Sequence, residues 1–224
     1  MERLNRITLL FGKEAVEKLK QSTVMVVGCG AVGSFAIEAL ARSGIGHIVL
    51  IDFDMVEKSN INRQLFALDS TVSKPKVEVA KQRILDINPD VNVDIYNVFF
   101  DKNIMLDVKP DYVIDAIDTV QSKIDLYKWC FDNNVPFISS MGAARKTDIT
   151  KIKIGKILKT SVCPLASKIR HYVKELKLPN FDVVYSVEPA MPQPNGGREF
   201  GSVITVTGTF GLMMADFVVK KLIS

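Results

Sequence analysis

A β-branched run from Thr23 to Val27 stops at three glycines, Gly28, Gly30 and Gly33, and is followed by Val32, Ala36, Ala39 and Leu40 at helical spacing. A strand, a tight loop and a helix in that order leave few folds open. The glycines of GxGxxG permit the turn, let backbone N–H groups approach a phosphate, and allow the helix to pack closely on the strand. Nineteen residues past Gly33, Asp52 ends the next apolar stretch, HIVLID, where a dinucleotide-binding fold places the acid that bonds a ribose. A plain glycine turn would not require that acid. No GxxxxGK(S/T) segment points to a P-loop ATPase.

Downstream, KPKVEVAKQRILDIN reads as a helix with a proline near its first turn, VNVDIYN and DYVIDAID as strands, and LYKWCFDNN as a helix before the strand VPFISS. ITKIKIGKIL alternates in the strand period, CPLASKIRHYVKELKLP is helical, FDVVYSVE is a strand, and PAMPQPNGGREFG, with three prolines and three glycines, reads as a mobile loop. Strands alternating with helices predict an α/β fold: a Rossmann-like, doubly wound, mostly parallel sheet with helices on both faces and an elaborated C-terminal third. At 224 residues, 47% hydrophobic, the chain is sized for one such domain. Its expected parts are an N-terminal arm (1–22), a nucleotide-binding core (23–140), and a segment (141–224) holding a basic substrate-facing stretch, the loop and a C-terminal helix.

The residues after Asp52 bear on which nucleotide is bound. An NAD enzyme has little use for positive charge beyond the pyrophosphate, whereas ATP brings a triphosphate that needs cations and usually Mg²⁺. Asn60, Arg63 and Gln64 fit on or just before the first turns of a helix starting within SNINRQLFAL, capped by Ser59 or Asn60, with Arg63 projecting beside the nucleotide. Lys76 stands near a helix start, where ammonium and backbone dipole act together on an anion; an exposed first-turn lysine is the plainer reading. Asp118 lies just past the carboxyl end of a strand, the place where open α/β sheets hold ligands, and a carboxylate there suits Mg²⁺. Asp115, earlier in the same segment, reads as structural or as a helper.

Charge is segregated. Arg145 to Lys177 carries ten Lys or Arg against two acids, a balance of +8, while the remainder is −4 within a net +4. That segment suits a polyanion, nucleic acid foremost, or a solvated surface. Cys29, Cys130 and Cys163 lie 101 and 33 residues apart, which matches neither a disulfide framework nor a zinc pair and makes a reduced cytoplasmic setting the expectation. The N-terminal residues lack the apolar core of a secretory signal. Asp216 and the Lys220–Lys221 pair inside the apolar stretch 202–223 argue for a buried core helix over membrane insertion. Cys163, before a proline at a helix start, is a candidate nucleophile, but an ordinary semi-buried cysteine is the favoured reading. Cys29 and Cys130 read as packing residues, and neither His47 nor His171 is assigned a role.

RLNRITLLFG, VVGCGAVGSFAIEALARSGIGHIVLIDFD, SNINRQ, SKPKVEVA and DAIDTVQSK together, in this order over about the first 140 residues, resemble the ThiF/MoeB-type adenylating enzymes, relatives of ubiquitin-activating enzymes. The resemblance implies that Asp52 binds ribose and that Asp54 belongs to the same nucleotide-binding set. It further implies that Asn60, Arg63, Gln64 and Lys76 surround the ATP phosphates, that Asp118 binds Mg²⁺, and that Arg6 reaches into the partner subunit of a homodimer. Members that activate ubiquitin-like sulfur carriers usually carry two CxxC pairs, absent here. The stretch from Ser139 through CPLASKIRHYVKEL instead resembles the branch whose members dehydrate threonylcarbamoyladenosine in the tRNA anticodon loop through an acyl adenylate. On that reading Arg6, Arg63, Lys76 and Asp118 are catalytic, ATP and Mg²⁺ are the cofactors, and tRNA is the partner, with a sulfur-relay protein left open. The runner-up is an adenylyltransferase acting on the Gly-Gly carboxylate of a sulfur carrier. An NAD oxidoreductase, or a non-catalytic nucleotide sensor, is the third reading.

Overall fold

In the computed structural model, residues 2–192 and 200–224 are described. Strands β1 (Thr23–Val27), β2 (His47–Ile51), β3 (Asn92–Tyr96), β4 (Tyr112–Asp115), β5 (Phe137–Ser140), β6 (Ile152–Lys156) and β7 (Asp182–Ser186) form one sheet in the order β3-β2-β1-β4-β5-β7-β6. All neighbours are parallel except β6, which runs antiparallel to β7 at the edge. The chain moves from β1 outward to β2 and β3, then crosses back to β4 on the other side of β1. This reversal opens a crevice at the carboxyl ends of β1 and β4, where doubly wound sheets bind ligands.

Both faces of the sheet are covered, as the near-continuous apolar strands require. Val24, Val26, Ile48, Leu50, Ile114, Ile138 and Val184 point to one cluster, filled by α3 (Gly33–Ser43), α4 (Lys76–Ile87) and α7 (Ile204–Ile223). Met25, Val27, Val49, Ile51, Val113, Phe137 and Val183 point to the other, filled by α5 (Val120–Asp132) and α6 (Pro164–Glu175). The period-two alternation of each strand thus assigns each side chain to one of two separate cores.

The apolar C-terminal stretch is α7, packed along α3, and among the described residues no helix is long and apolar enough to cross a membrane. Asp216 turns outward and pairs with Lys220 at 2.8 Å. The α3–α7 approach depends on Gly211, where a Cβ would lie 2.2 Å from the Val32 carbonyl oxygen and 2.9 Å from the Ala36 nitrogen.

The N-terminal arm comprises α1 (Asn5–Phe11) and α2 (Lys13–Gln21). The second helix buries Ala15, Val16 and Leu19, while the first buries nothing, leaving Leu9 and Leu10 72% and 73% exposed. Two sequence expectations need correction. The helix expected within SNINRQLFAL is instead a 3-10 turn, Lys58–Asn60, followed by irregular turns. The Leu65 amide donates to the Ser34 hydroxyl on α3 at 3.1 Å, which takes that amide out of any helical ladder continuing from the turn. The helix expected from Leu126 begins at Val120, directly after the crevice loop. Most of the loop expected over 189–201 lies outside the described residues.

Gly211→Ala should lower stability by about 1–3 kcal/mol through overpacking against α3, read as a lower urea midpoint with an unchanged slope. An unchanged midpoint would show that α7 can slide along α3 at no cost.

Candidate functional site

The crevice has a volume of about 780 Å³ and is built from loops that follow β1, β2, β3, β4 and β5. Gly28 and Gly33 make its floor possible. Gly28 is held at φ +97°, with a Cβ position 2.6 Å from the Ala116 carbonyl oxygen, and a Cβ on Gly33 would lie 1.7 Å from the Gly28 carbonyl oxygen. No other residue type fits either place. Gly30 lines the crevice, whereas Gly33 lies beneath it as a packing contact.

Asp52 follows β2 and closes over this loop. One carboxylate oxygen accepts from the Cys29 N–H at 2.6 Å and the other from the Asp54 N–H at 2.8 Å. Burial pushes its carboxyl pKa up, opposed by those two N–H groups and by Lys76. Burial, then the neighbouring Asp52, also raises the Cys29 thiol, which keeps it protonated and inert as the packing reading expects. Lys76 opens α4, yet it is not a first-turn surface lysine: its side chain is 8% exposed, and Nζ donates to Asp54 at 2.6 Å. An ammonium so buried and tethered is placed to meet a second anion in the crevice.

Asn60 and Gln64 are buried at its margin. Asn60 accepts the Glu57 N–H at 3.2 Å through its side chain, and its carbonyl takes the amides of Arg63 and Gln64 at 3.0 and 2.9 Å. The Arg63 guanidinium lines the crevice but folds back on the Ser59 carbonyl at 2.6 Å and the Asn62 side chain at 2.9 Å. Asp118 faces the crevice, exposed, and among the described residues its carboxylate accepts only from the Thr119 hydroxyl, at 3.3 Å. Among the described residues there is no cluster of three His, Cys, Asp or Glu able to cage a metal. One free carboxylate is the arrangement that suits Mg²⁺ arriving on nucleotide phosphates, since that ion keeps waters and few protein ligands. Arg6, on α1, is exposed and does not line the crevice of its own chain.

Beneath Asp118 lies a network that sequence reading gave only half of. Asp115 and Lys123 are both fully buried and paired at 2.7 Å. Nζ of Lys123 also donates to the Ser140 carbonyl at 2.8 Å, Ser139 donates to Asp115 at 2.5 Å, and the Tyr127 hydroxyl meets Ser139 at 2.6 Å. The second Asp115 oxygen accepts the Ile117 N–H at 3.1 Å. Strand β4, the turn to Asp118 and the end of β5 are thereby locked together. Asp115 is structural, as expected, but Lys123 carries no signal beyond its place in DAIDTVQSK.

The far wall comes from the basic segment and α6: Arg145, Lys146, Cys163 and Lys168. Lys146 is buried with Nζ on the Glu188 carbonyl, and Cys163 is 2% exposed, so the favoured reading of a buried cysteine fits although its residue borders the crevice. Two aromatic rings the sequence did not single out, Phe53 and Phe99, stand at the crevice edge, 5.0 Å apart and edge to face. Among the described residues five Lys or Arg line the crevice against three Asp, which favours an anionic occupant.

The ThiF family model matches residues 4–224. A tRNA threonylcarbamoyladenosine dehydratase of Bacillus subtilis (strain 168) is 46% identical over 207 residues, spanning 90% of this chain and 82% of that protein. The crystal structure of the E. coli tRNA N6-threonylcarbamoyladenosine dehydratase in complex with ATP superposes with a TM-score of 0.93 at 37% identity, over 99% of this chain and 93% of that one. A molybdopterin-synthase adenylyltransferase of Haemophilus influenzae is 39% identical over a shorter stretch, 57% of this chain and 53% of that protein.

Lys123→Met should cost about 3–5 kcal/mol in urea denaturation, because Asp115 is left buried and unpaired. Adding Asp115→Asn should recover part of that loss; a Lys123→Met shift below about 1 kcal/mol would show that the pair is not holding the floor.

Proposed function

This chain belongs to the ThiF family, and from that premise we propose that it is an ATP-dependent tRNA threonylcarbamoyladenosine dehydratase, closing the modification into a ring with loss of water. The carrying observation is the match to dehydratases over nearly the whole chain, together with a crevice lined by the half-buried carboxylate of Asp52 and the buried ammonium of Lys76 on one half and by further cations on the other. The adenylyltransferase matches cover 57% to 67% of the chain, less than the dehydratase match, and the two CxxC pairs are absent.

In the first step an oxygen of the threonyl carboxylate attacks the α-phosphorus of ATP, the bond to pyrophosphate breaks, and an acyl adenylate forms. The neighbouring carbamoyl group then attacks the acyl carbon, the C–O bond to AMP breaks, and a carbamoyl N–H proton passes to solvent. The oxygen lost from the substrate leaves in AMP, so the net change is dehydration. Both reacting groups of the second step belong to one side chain, and such proximity makes a protein nucleophile unnecessary; the buried Cys163 is left out of the chemistry.

Asp52 holds the ribose, Asp54 orients Lys76, and the glycine-loop amides receive phosphate. Lys76 opposes the charge that builds on the leaving pyrophosphate, with Asn60, Gln64 and Arg63 beside it; Arg63 must leave the Ser59 carbonyl to do so. Asp118 would hold the Mg²⁺ that accompanies ATP, and that ion would further neutralise the phosphates. The Phe53 and Phe99 rings offer a face to a base.

Arg6 completes the site of a second subunit. The exposed Leu9, Leu10 and Phe11 on the same helix give that arm an apolar face suited to a homodimer. The working unit is one adenylation domain over 1–224, with the nucleotide half in 23–140 and the tRNA half in 141–224. The basic segment exposes Lys151, Lys153, Lys159, Lys174 and Lys177 toward the RNA backbone. Its setting is the cytoplasm, and a sulfur-relay protein is an additional, optional partner.

Mass spectrometry of tRNA nucleosides after incubation with ATP and Mg²⁺ should show loss of water from threonylcarbamoyladenosine. Pyrophosphate exchange driven by a Gly-Gly-ended carrier protein, with tRNA ignored, would replace this reading by the runner-up. Asp118→Ala should lower turnover about 10²-fold or more. Mixing inactive Asp118→Ala with inactive Arg6→Ala should restore roughly a quarter of wild-type activity, the statistical share of intact sites in a two-fold dimer. No recovery on mixing would place Arg6 outside the partner's site.

A further inference from the structure

Arg145 has a conformation that its residue type does not explain. It lies in the left-handed region at φ +60°, where glycine or asparagine would serve the turn without strain. Three hydrogen bonds hold it there: its N–H donates to the Gly201 carbonyl at 2.8 Å, its carbonyl accepts from Met191 N–H at 2.9 Å, and its Nε donates to the Met191 carbonyl at 2.6 Å. Strained residues persist where their surroundings over-determine them, and such places cluster at ligand sites. The Phe200 ring supports the guanidinium from one face, 5.9 Å from its centre. Among the described residues, the two terminal amino groups of Arg145 have no protein acceptor. The residue lines the far wall of the crevice, on the β5 side, together with Lys168 of α6.

We propose that Arg145, with Lys168 lining the same crevice, forms an oxyanion subsite on the substrate half of the crevice and that its ligand is the carboxylate that will be adenylated. This rests on the dehydratase reading above. The guanidinium presents its two terminal nitrogens as a fork, the geometry that grips a carboxylate or phosphate bidentately. Nε already donates to the Met191 carbonyl, which orients the fork in advance. Lys168 adds a mobile point charge that follows the anion as it approaches the α-phosphate. An RNA backbone phosphate has the same chemistry as the carboxylate, and kinetics separate the two sources.

The test uses the full-length protein and Arg145→Gly, a variant that suits the left-handed backbone and removes only the side chain. It should melt within a few degrees of wild type and bind ATP equally well. If the carboxylate is the ligand, kcat for pyrophosphate release with threonylcarbamoylated tRNA falls about 10²-fold while KM for tRNA and its salt dependence hold, and Arg145→Lys does not rescue. If a backbone phosphate is the ligand, KM rises, the logarithmic salt slope drops by about one, and kcat at saturation is kept; the subsite stands with the other source. Wild-type values of kcat and KM in Arg145→Gly, or an equal loss of ATP affinity, overturn the subsite. An inactive wild type overturns the dehydratase reading and the subsite with it.

Discussion

Where β1 ends, the chain passes close under the loop that follows β4, and the absence of a side chain at Gly28 is what lets it through. With a Cβ 2.6 Å from the Ala116 carbonyl oxygen, β1 and β4 could not both finish beside the same floor. Gly33 repeats the constraint one turn on, bringing α3 onto the Gly28 carbonyl. From these contacts follow the aim of the loop amides, the position of Asp52 above them and the opening of the crevice at the reversal of strand order.

The floor is stiffened by charge placed where charge is costly. Asp115 and Lys123 are taken wholly out of water, and the arrangement is tolerable because Ser139, Ile117, Ser140 and each other fill their hydrogen-bonding capacity. Burial raises the Tyr127 hydroxyl pKa, and nearby Asp115 adds to it, so that group stays a neutral member of the network. The crevice above keeps Asp118 exposed and Lys76 tethered to a single carboxylate. Rigidity lies below and adjustable charge above, which suits a site that must receive a polyanion and release it as pyrophosphate.

Much of the site was legible because its signals are local. Gly28, Gly30, Gly33, Asp52 and Asp118 are fixed by strand–loop–helix grammar, and the structure brings all but Gly33 to the crevice surface. The segment after Asp52 misled: SNINRQLFAL has helical spacing, but the Leu65 amide is claimed by Ser34, 31 residues earlier. Lys76 invited the reading of a surface lysine, and only the fold shows that Asp54, 22 residues before it, takes its ammonium. Arg145 and Lys168 counted merely as members of a charged run until the fold set them on one wall.

The sequence by itself determined the alternation of strands and helices, the glycine turn and the place of Asp52 and Asp118 at strand ends, since each depends on residues close together along the chain. Tertiary structure decided which lysines are buried, that Lys123 underpins Asp118, that Arg63 rests on Ser59, and that a strained arginine lines the crevice. Those outcomes depend on hydrogen bonds and burial between segments from adjacent turns to dozens of residues apart, and burial changes what a charged group does by far more than its neighbours in sequence reveal.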